Sequence, residues 1–136
     1  MKGKPPRVYI IDDDQVVILL HKIQVIRQQL FENIHVFFDA REALESIISL
    51  GSEDQSILIF LDINMPEMNG WEFLTLLQKI TNPLDIKVVI VTSSLSKSDR
   101  EKSEEFNKVI DFWEKPMVPD LWIKLKKQLG NWLLGS

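Results

Sequence analysis

Cysteine is absent from the 136 residues, which excludes a disulfide framework, a thiolate nucleophile and every cysteine-containing zinc site. Histidine is nearly absent too: His21 and His35 are the only two, too few and too isolated to suggest a histidine metal site. Glycine is sparse, and the five present form neither G-x-x-x-x-G-K-[ST] nor G-x-G-x-x-G, so the phosphate-cradling loops of nucleotide-binding enzymes are missing. No stretch approaches the roughly 20 consecutive apolar residues that cross a bilayer. Asp12, Asp13 and Asp14 also interrupt the first apolar run before it can read as a signal peptide. The expected location is the cytoplasm, with no membrane partner. An excess of positive charge is lacking as well: 16 Lys plus Arg stand against 20 Asp plus Glu, a net charge of -4. That balance argues against non-specific attachment to DNA, RNA or anionic lipid and makes a cation the expected charged partner.

What remains is an ordinary globular composition, 45% hydrophobic and 26% charged, at a length that suits one domain. A single domain over residues 1–136 is expected, its core spanning about 7–134, with Met1 to Pro6 and Gly135-Ser136 as loose ends. Val8 to Ile11 is a β-branched and aromatic run that stops at three acids and fits a buried strand. From Gln15 to Leu30, Val16, Leu19, Leu20, Ile23, Ile26 and Leu30 recur three or four apart, with Asp14 as N-cap, predicting a helix with that stripe inward. Ile34 to Phe38 is a second strand. Asp39 and Glu42 have capping-box spacing before Ala43, Leu44, Ile47 and Ile48, and Gly51 is placed to end that helix. Ser56 to Leu61 is almost wholly apolar, as a central parallel strand covered on both faces would be.

Asn64-Met65-Pro66 and Asn69-Gly70 mark a loop; Trp71, Leu74, Leu77 and Ile80 then carry a third helix as far as Asn82-Pro83. Ile86 to Val91 is the fourth strand, closing at Thr92-Ser93-Ser94. Ser98 and Glu101 have capping-box spacing, but residues 98 to 108 offer only Phe106 as a large apolar anchor for a fourth helix. Val109 to Trp113 reads as the fifth strand and Lys115-Pro116 as its end. Leu121, Trp122, Leu125, Leu129, Trp132 and Leu133 form the inner stripe of a last helix. Five strands alternating with five helices predict an α/β fold: a doubly wound parallel sheet with helices on both faces, its ligands bound outside the carboxyl ends of the strands.

The residues at those ends are Asp12 and Asp13, Asp62, Thr92 and Ser93, and Lys115. Taken singly, each has an ordinary reading as a turn acid, a loop cap or a solvated lysine. Independent ordinary readings do not predict acids, a hydroxyl and a lysine each closing a different parallel strand. Three clustered carboxylates repel one another unless a hard divalent cation neutralises them, and Mg²⁺ binds one or two carboxylates together with water and phosphate oxygens. The set therefore reads as a phosphoryl-handling site.

With those residues in place the chain resembles a response-regulator receiver domain, similar to the single-domain chemotaxis-type regulators of bacterial two-component signalling. The resemblance rests on the pair Asp12-Asp13, the stretch Leu61-Asp-Ile-Asn-Met-Pro66 followed by Gly70, the Val91-Thr-Ser93 step, and Lys115-Pro116. It implies a flavodoxin-like sheet in strand order 2-1-3-4-5. It also implies that Asp62 accepts a phosphoryl group as a carboxylate nucleophile, that Lys115 pairs with a phosphoryl oxygen, and that Thr92 donates its hydroxyl to another. Mg²⁺ would be held by the side chains of Asp13 and Asp62, by Asp12 mainly through water, and by the Asn64 carbonyl. The family's aromatic switch position falls on Phe112, where an ordinary edge-strand hydrophobe is an equally good reading. Ser93 stands where many relatives have Ala or Gly, and Phe106 to Asp111 replaces their small residues before the fifth strand, which leaves the fourth-helix surface open. Asn64 and Ser94 fall at positions that tune phosphoryl lifetime; both are small and polar, predicting a short-lived aspartyl phosphate.

The implied function is a self-modifying switch rather than a turnover enzyme. It takes a phosphoryl group from a sensor histidine kinase or histidine phosphotransfer protein and changes affinity for a downstream protein target. A pseudo-receiver that binds partners without phosphorylation is the alternative. A haloacid-dehalogenase-type phosphatase would need an acid two residues beyond Asp62, where Asn64 cannot shuttle a proton. Direct nucleic-acid binding is not expected, because the 20 residues after Pro116 suffice for one helix whose Lys124, Lys126 and Lys127 form a solvated face. Trp71 and Trp113 fit core or surface equally, whereas helical spacing favours core for Trp122 and Trp132.

Overall fold

The computed structural model describes residues 4–51, 55–80, 84–93 and 96–135. Strands and helices alternate as β1 (Arg7–Ile11), α1 (Gln15–Arg27), β2 (Ile34–Phe37), α2 (Ala40–Ser49), β3 (Ser56–Leu61), α3 (Gly70–Leu77), β4 (Asp85–Thr92), α4 (Lys97–Ser103), β5 (Val109–Glu114) and α5 (Pro119–Leu129), with a final 3-10 turn over Gly130–Leu134. All neighbouring strands pair in parallel, in the order β2-β1-β3-β4-β5. This is the doubly wound five-stranded sheet with five helices that the alternation predicts.

Side chains that alternate along the central strands supply two cores. Tyr9 and Ile11, with Ile57, Ile59 and Leu61, face α2 and α3 and pack with Ala43, Ile47, Phe73 and Leu77. Val8 and Ile10, with Leu58 and Phe60, face the other way and pack with Ile18, Val25, Trp122 and Leu125 of α1 and α5. The aromatic rings of Phe60, Trp113 and Trp122 meet at centroid separations of 5.5 to 6.1 Å. Trp113 and Trp122 are thus core. Trp71 and Trp132 are half-buried, Trp71 stacked on Phe106 and Trp132 donating its indole N–H to Asp85 at 2.7 Å.

The orientation of α1 differs from expectation. Ile18, His21 and Val25 are its buried residues, whereas Val16, Leu19, Leu20, Ile23 and Ile26 are exposed, Val16 at 66% and Leu19 at 58%. The helix is apolar on nearly every side, so two stripes share the 3.6-residue period and periodicity cannot choose between them. Only Leu30 of the expected stripe packs on the core, from beyond the helix end, because Gln29 takes a left-handed conformation (φ 54°).

Smaller differences have local causes. Ile48 on α2 is exposed, Asp39 caps through Arg41 N–H alone, and Gly51 (φ 60°) ends the segment as expected. Helix α3 starts one residue earlier, because Asn69 and Glu72 form a reciprocal capping box, and it ends at Leu77; Asn82-Pro83 lies outside the described residues. Helix α4 is capped by Ser96, which accepts from Asp99 N–H, rather than by Ser98. The last helix is broken at Gly130 (φ 52°), so Trp132 and Leu133 reach the core from the 3-10 turn.

Candidate functional site

The carboxyl ends of β1, β3, β4 and β5 bring the predicted polar residues to one edge. Backbone bonds set the depth of each: Asp12 N–H donates to Phe37 O at 3.1 Å, Asp62 N–H to Ile11 O at 3.0 Å, and Lys115 N–H to Thr92 O at 2.7 Å. Asp12 and Asp62 are buried and held in the same way. One oxygen of each accepts the backbone N–H two residues on, Asp14 N–H to Asp12 Oδ1 at 2.9 Å and Asn64 N–H to Asp62 Oδ1 at 3.1 Å. The other oxygen of each faces Lys115 Nζ, at 2.7 Å from Asp12 Oδ2 and 3.3 Å from Asp62 Oδ2. Lysine and both acids therefore form one charge-assisted network with fixed geometry.

Asp13 is exposed, and an oxygen from each of Asp12, Asp13 and Asp62 lies within 4.8 Å of the others. Three carboxylates against one lysine leave net negative charge at an all-oxygen cluster, a donor set that suits a hard divalent cation. Above it opens a cleft of about 540 Å³, whose lining includes Asp13, Asp62, Asn64, Ser93 and Lys115, with Val17 and Leu20 of α1 on one wall.

The loop after Asp62 is fixed by a close approach. A Cβ on Gly70 would lie 2.7 Å from Ile63 Cα, and Gly70 N–H donates to Ile63 O at 3.1 Å. Glycine is needed there because another backbone occupies the space a side chain would take. Asn64 presents an exposed side chain whose Nδ2 donates to Thr92 Oγ1 at 3.4 Å, and Thr92 itself is fully buried. Ser93 is exposed at the cleft, and Ser94 lies outside the described residues. Phe112 sits in β5, 8% exposed, with the Arg100 guanidinium of α4 5.5 Å from its ring centroid. The weakly apolar α4 region is thus tied to α3 by Phe106 on Trp71 and to the sheet by Arg100 on Phe112.

Burial is the largest influence on Asp62 and pushes its carboxyl above the ordinary aspartate value. The Asp12 charge pushes the same way, and the Asn64 N–H and Lys115 offset only part of this. Burial works against the charged form of Lys115, but the hydrogen bond to Asp12 and the charges of Asp62 and Asp12 outweigh it and raise its pKa.

One residue at the site escapes the sequence reading. His21 is buried, and its Nε2 accepts Met117 N–H at 3.3 Å, two residues past Lys115. The available signal was its placement three and four residues from Ile18 and Val25, on the inner face of α1.

Comparison with known proteins agrees with this geometry. The family described as "Response regulator receiver domain" matches residues 8–125. The chain is 34% identical over 113 residues to the "Cyclic di-GMP phosphodiesterase response regulator RpfG" of Xanthomonas campestris pv. campestris, covering 81% of this chain and 28% of that protein. It is also 34% identical over 113 residues to the "Transcriptional regulatory protein PrrA" of Mycobacterium tuberculosis, covering 83% of this chain and 45% of that one. This chain therefore spans less than half the length of these relatives. Among solved structures, a two component response regulator from Cytophaga hutchinsonii superimposes with a TM-score of 0.81 at 28% identity, over 94% of this chain and 98% of that one. A CheY-like receiver domain protein from Methanospirillum hungatei superimposes with a TM-score of 0.73 at 25% identity, over 95% and 97%. On the strand order, the acid and lysine edge and these matches together, the chain belongs to the response regulator receiver domain family of two-component signalling.

Proposed function

We propose that this chain is a phosphorylation-dependent switch whose acceptor is Asp62 and whose phosphoryl source is a phosphohistidine on a kinase or phosphotransfer protein. The observation that carries this reading is the shared lysine: Lys115 Nζ bridges Asp12 Oδ2 at 2.7 Å and Asp62 Oδ2 at 3.3 Å at the floor of an open cleft. An Asp62 oxygen attacks phosphorus, the new O–P bond forms as the donor's N–P bond breaks, and the electron pair returns to the donor imidazole. Lys115 then exchanges its contact with Asp62 for a phosphoryl oxygen. Mg²⁺ suits the donor set of Asp12, Asp13, Asp62 and the Asn64 carbonyl, and when bound it offsets charge on the transferring group. The Thr92 hydroxyl, beside the Asn64 amide, is within the same edge and donates to the phosphoryl group once attached, which biases the end of β4 and the packing of Phe112. The change in that surface alters affinity for a downstream protein.

A protein donor is supported by the outward stripe of α1. Leu20 lines the cleft, and Leu20, Ile23, Gln24 and Arg27 continue from it into a groove walled on the far side by Pro116 to Pro119. Exposed apolar groups that run from the mouth of a reactive cleft offer a donor a surface on which to seat while its histidine reaches Asp62. Intact-protein mass after brief incubation with acetyl phosphate and Mg²⁺ tests the chemistry. A single phosphoryl adduct is expected on the wild type and none on Asp62→Asn. An unmodified wild type at early quench times and excess donor would reject phosphoryl acceptance.

A further inference from the structure

Lys115 stands at the end of β5, where ladder bonding stops. Upstream, its own N–H is fixed to Thr92 O. Pro116 has no N–H to give. The next donor, Met117 N–H, leaves the strand layer and bonds His21 Nε2 on α1 at 3.3 Å, a buried contact between residues 96 apart in sequence. The segment that carries Lys115 is thus pinned at both ends, to β4 on one side and to α1 on the other. His21 is 2% exposed among Ile18, Val25 and the other groups between α1 and the sheet. An apolar residue would fill that space without the desolvation that imidazole requires, so the chain carries a polar group where packing alone does not ask for one. Only a neutral ring can accept at Nε2, and burial, the largest influence on His21, holds its pKa below the ordinary histidine value.

We propose that His21 is a positioning residue for phosphoryl transfer: by accepting Met117 N–H it fixes the turn after Lys115 and so holds Nζ over Asp12 and Asp62. This rests on the phosphoacceptor reading above. Removing the acceptor leaves Met117 N–H buried and unpaired, so the turn relaxes and Lys115 loses its aim. The Met117 side chain, whose sulfur accepts the Trp122 indole N–H at 3.2 Å, keeps the turn folded but does not fix the peptide that follows Lys115.

The test compares wild type, His21→Leu, His21→Gln and Val25→Ala for the rate of labelling by acetyl phosphate, for Mg²⁺ affinity and for urea stability. The amide oxygen of Gln extends about as far as Nε2 and accepts, whereas Leu cannot; Val25→Ala loosens the same helix face and the same core but leaves the acceptor for Met117 N–H in place. His21→Leu is expected to label about tenfold more slowly while binding Mg²⁺ at least as tightly, because a less well placed lysine competes less for the carboxylates. His21→Gln is expected to recover to within about threefold of wild type, and Val25→Ala to label at the wild-type rate despite its lost stability. His21→Met replaces His21→Leu should the latter not fold. Wild-type labelling in a non-accepting variant, or equal slowing and equal loss of Mg²⁺ affinity in Val25→Ala, overturns the role of His21. An unlabelled wild type overturns the phosphoacceptor reading instead.

Discussion

Burial and the Asp12 charge raise the Asp62 carboxyl, so through the span from the ordinary aspartate value up to the raised one the folded state holds more proton than the unfolded chain. Stability therefore falls as pH rises through that span, and above it the full cost of an ionised Asp62 is present. Asp62→Asn removes that cost. In metal-free buffer at neutral pH it is expected to melt a few degrees higher than wild type, with a flatter dependence of stability on pH across the acid range. An Asp62→Asn protein that melts lower, with the same pH profile, would contradict this. Asp12, Asp62 and Lys115 are legible in the sequence because each closes a segment rich in β-branched and aromatic residues that reads as a strand. Their division of labour is not: that Asp12 and Asp62 each give one oxygen to the N–H two residues on and the other to Lys115 depends on backbone geometry at two loops. The role of His21 is hidden for the same kind of reason, since its partner is a peptide N–H and a backbone group leaves no mark in a sequence.

Helix α1 shows the limit of periodicity at the scale of an element. Its existence and N-cap, Asp14 accepting from Val16 and Val17 N–H, follow from the sequence. Its rotation does not, because Val16, Leu19, Leu20, Ile23 and Ile26 make as regular a stripe as Ile18, His21 and Val25. Charge ordinarily marks the outward face, and here that face carries too little of it. If that stripe seats the phosphoryl donor as proposed, Ile23→Lys is expected to slow transfer from a phosphorylated kinase or phosphotransfer protein at least about tenfold. Labelling by acetyl phosphate should persist, since Ile23 lies in the groove beyond the cleft. Equal rates from the protein donor would remove α1 as its seat. Helix α5 and its 3-10 extension share one apolar period, because Leu129, Trp132 and Leu133 keep it through Gly130; the break at φ 52° is a backbone choice that glycine permits and the apolar pattern conceals.

In the whole molecule the doubly wound parallel sheet is legible from strand–helix alternation and the handedness of crossovers, while its order β2-β1-β3-β4-β5 is the one the family resemblance implies. The two cores follow from alternation along β1, β3 and β4, and they lie on the two faces of the strands that carry the reactive edge. That edge gathers three carboxylates that a bound cation would relieve, so Mg²⁺ should stabilise the entire domain. At ten times its Kd the gain is about 1.4 kcal/mol, read as a rise of a few degrees in Tm that a chelator reverses and Asp62→Asn diminishes. No Mg²⁺-dependent shift in wild type would contradict the cation site. Phosphoryl acceptance by Asp62 bonds phosphorus to one carboxylate, and chemical trapping locates that bond. Protein labelled with acetyl phosphate is reduced with borohydride, which converts an aspartyl phosphate to homoserine, and the digested peptides are sequenced by mass spectrometry. Homoserine at position 62 and at no other aspartate is the expected result; homoserine at position 12 or 13, or at none, would reject Asp62 as the acceptor.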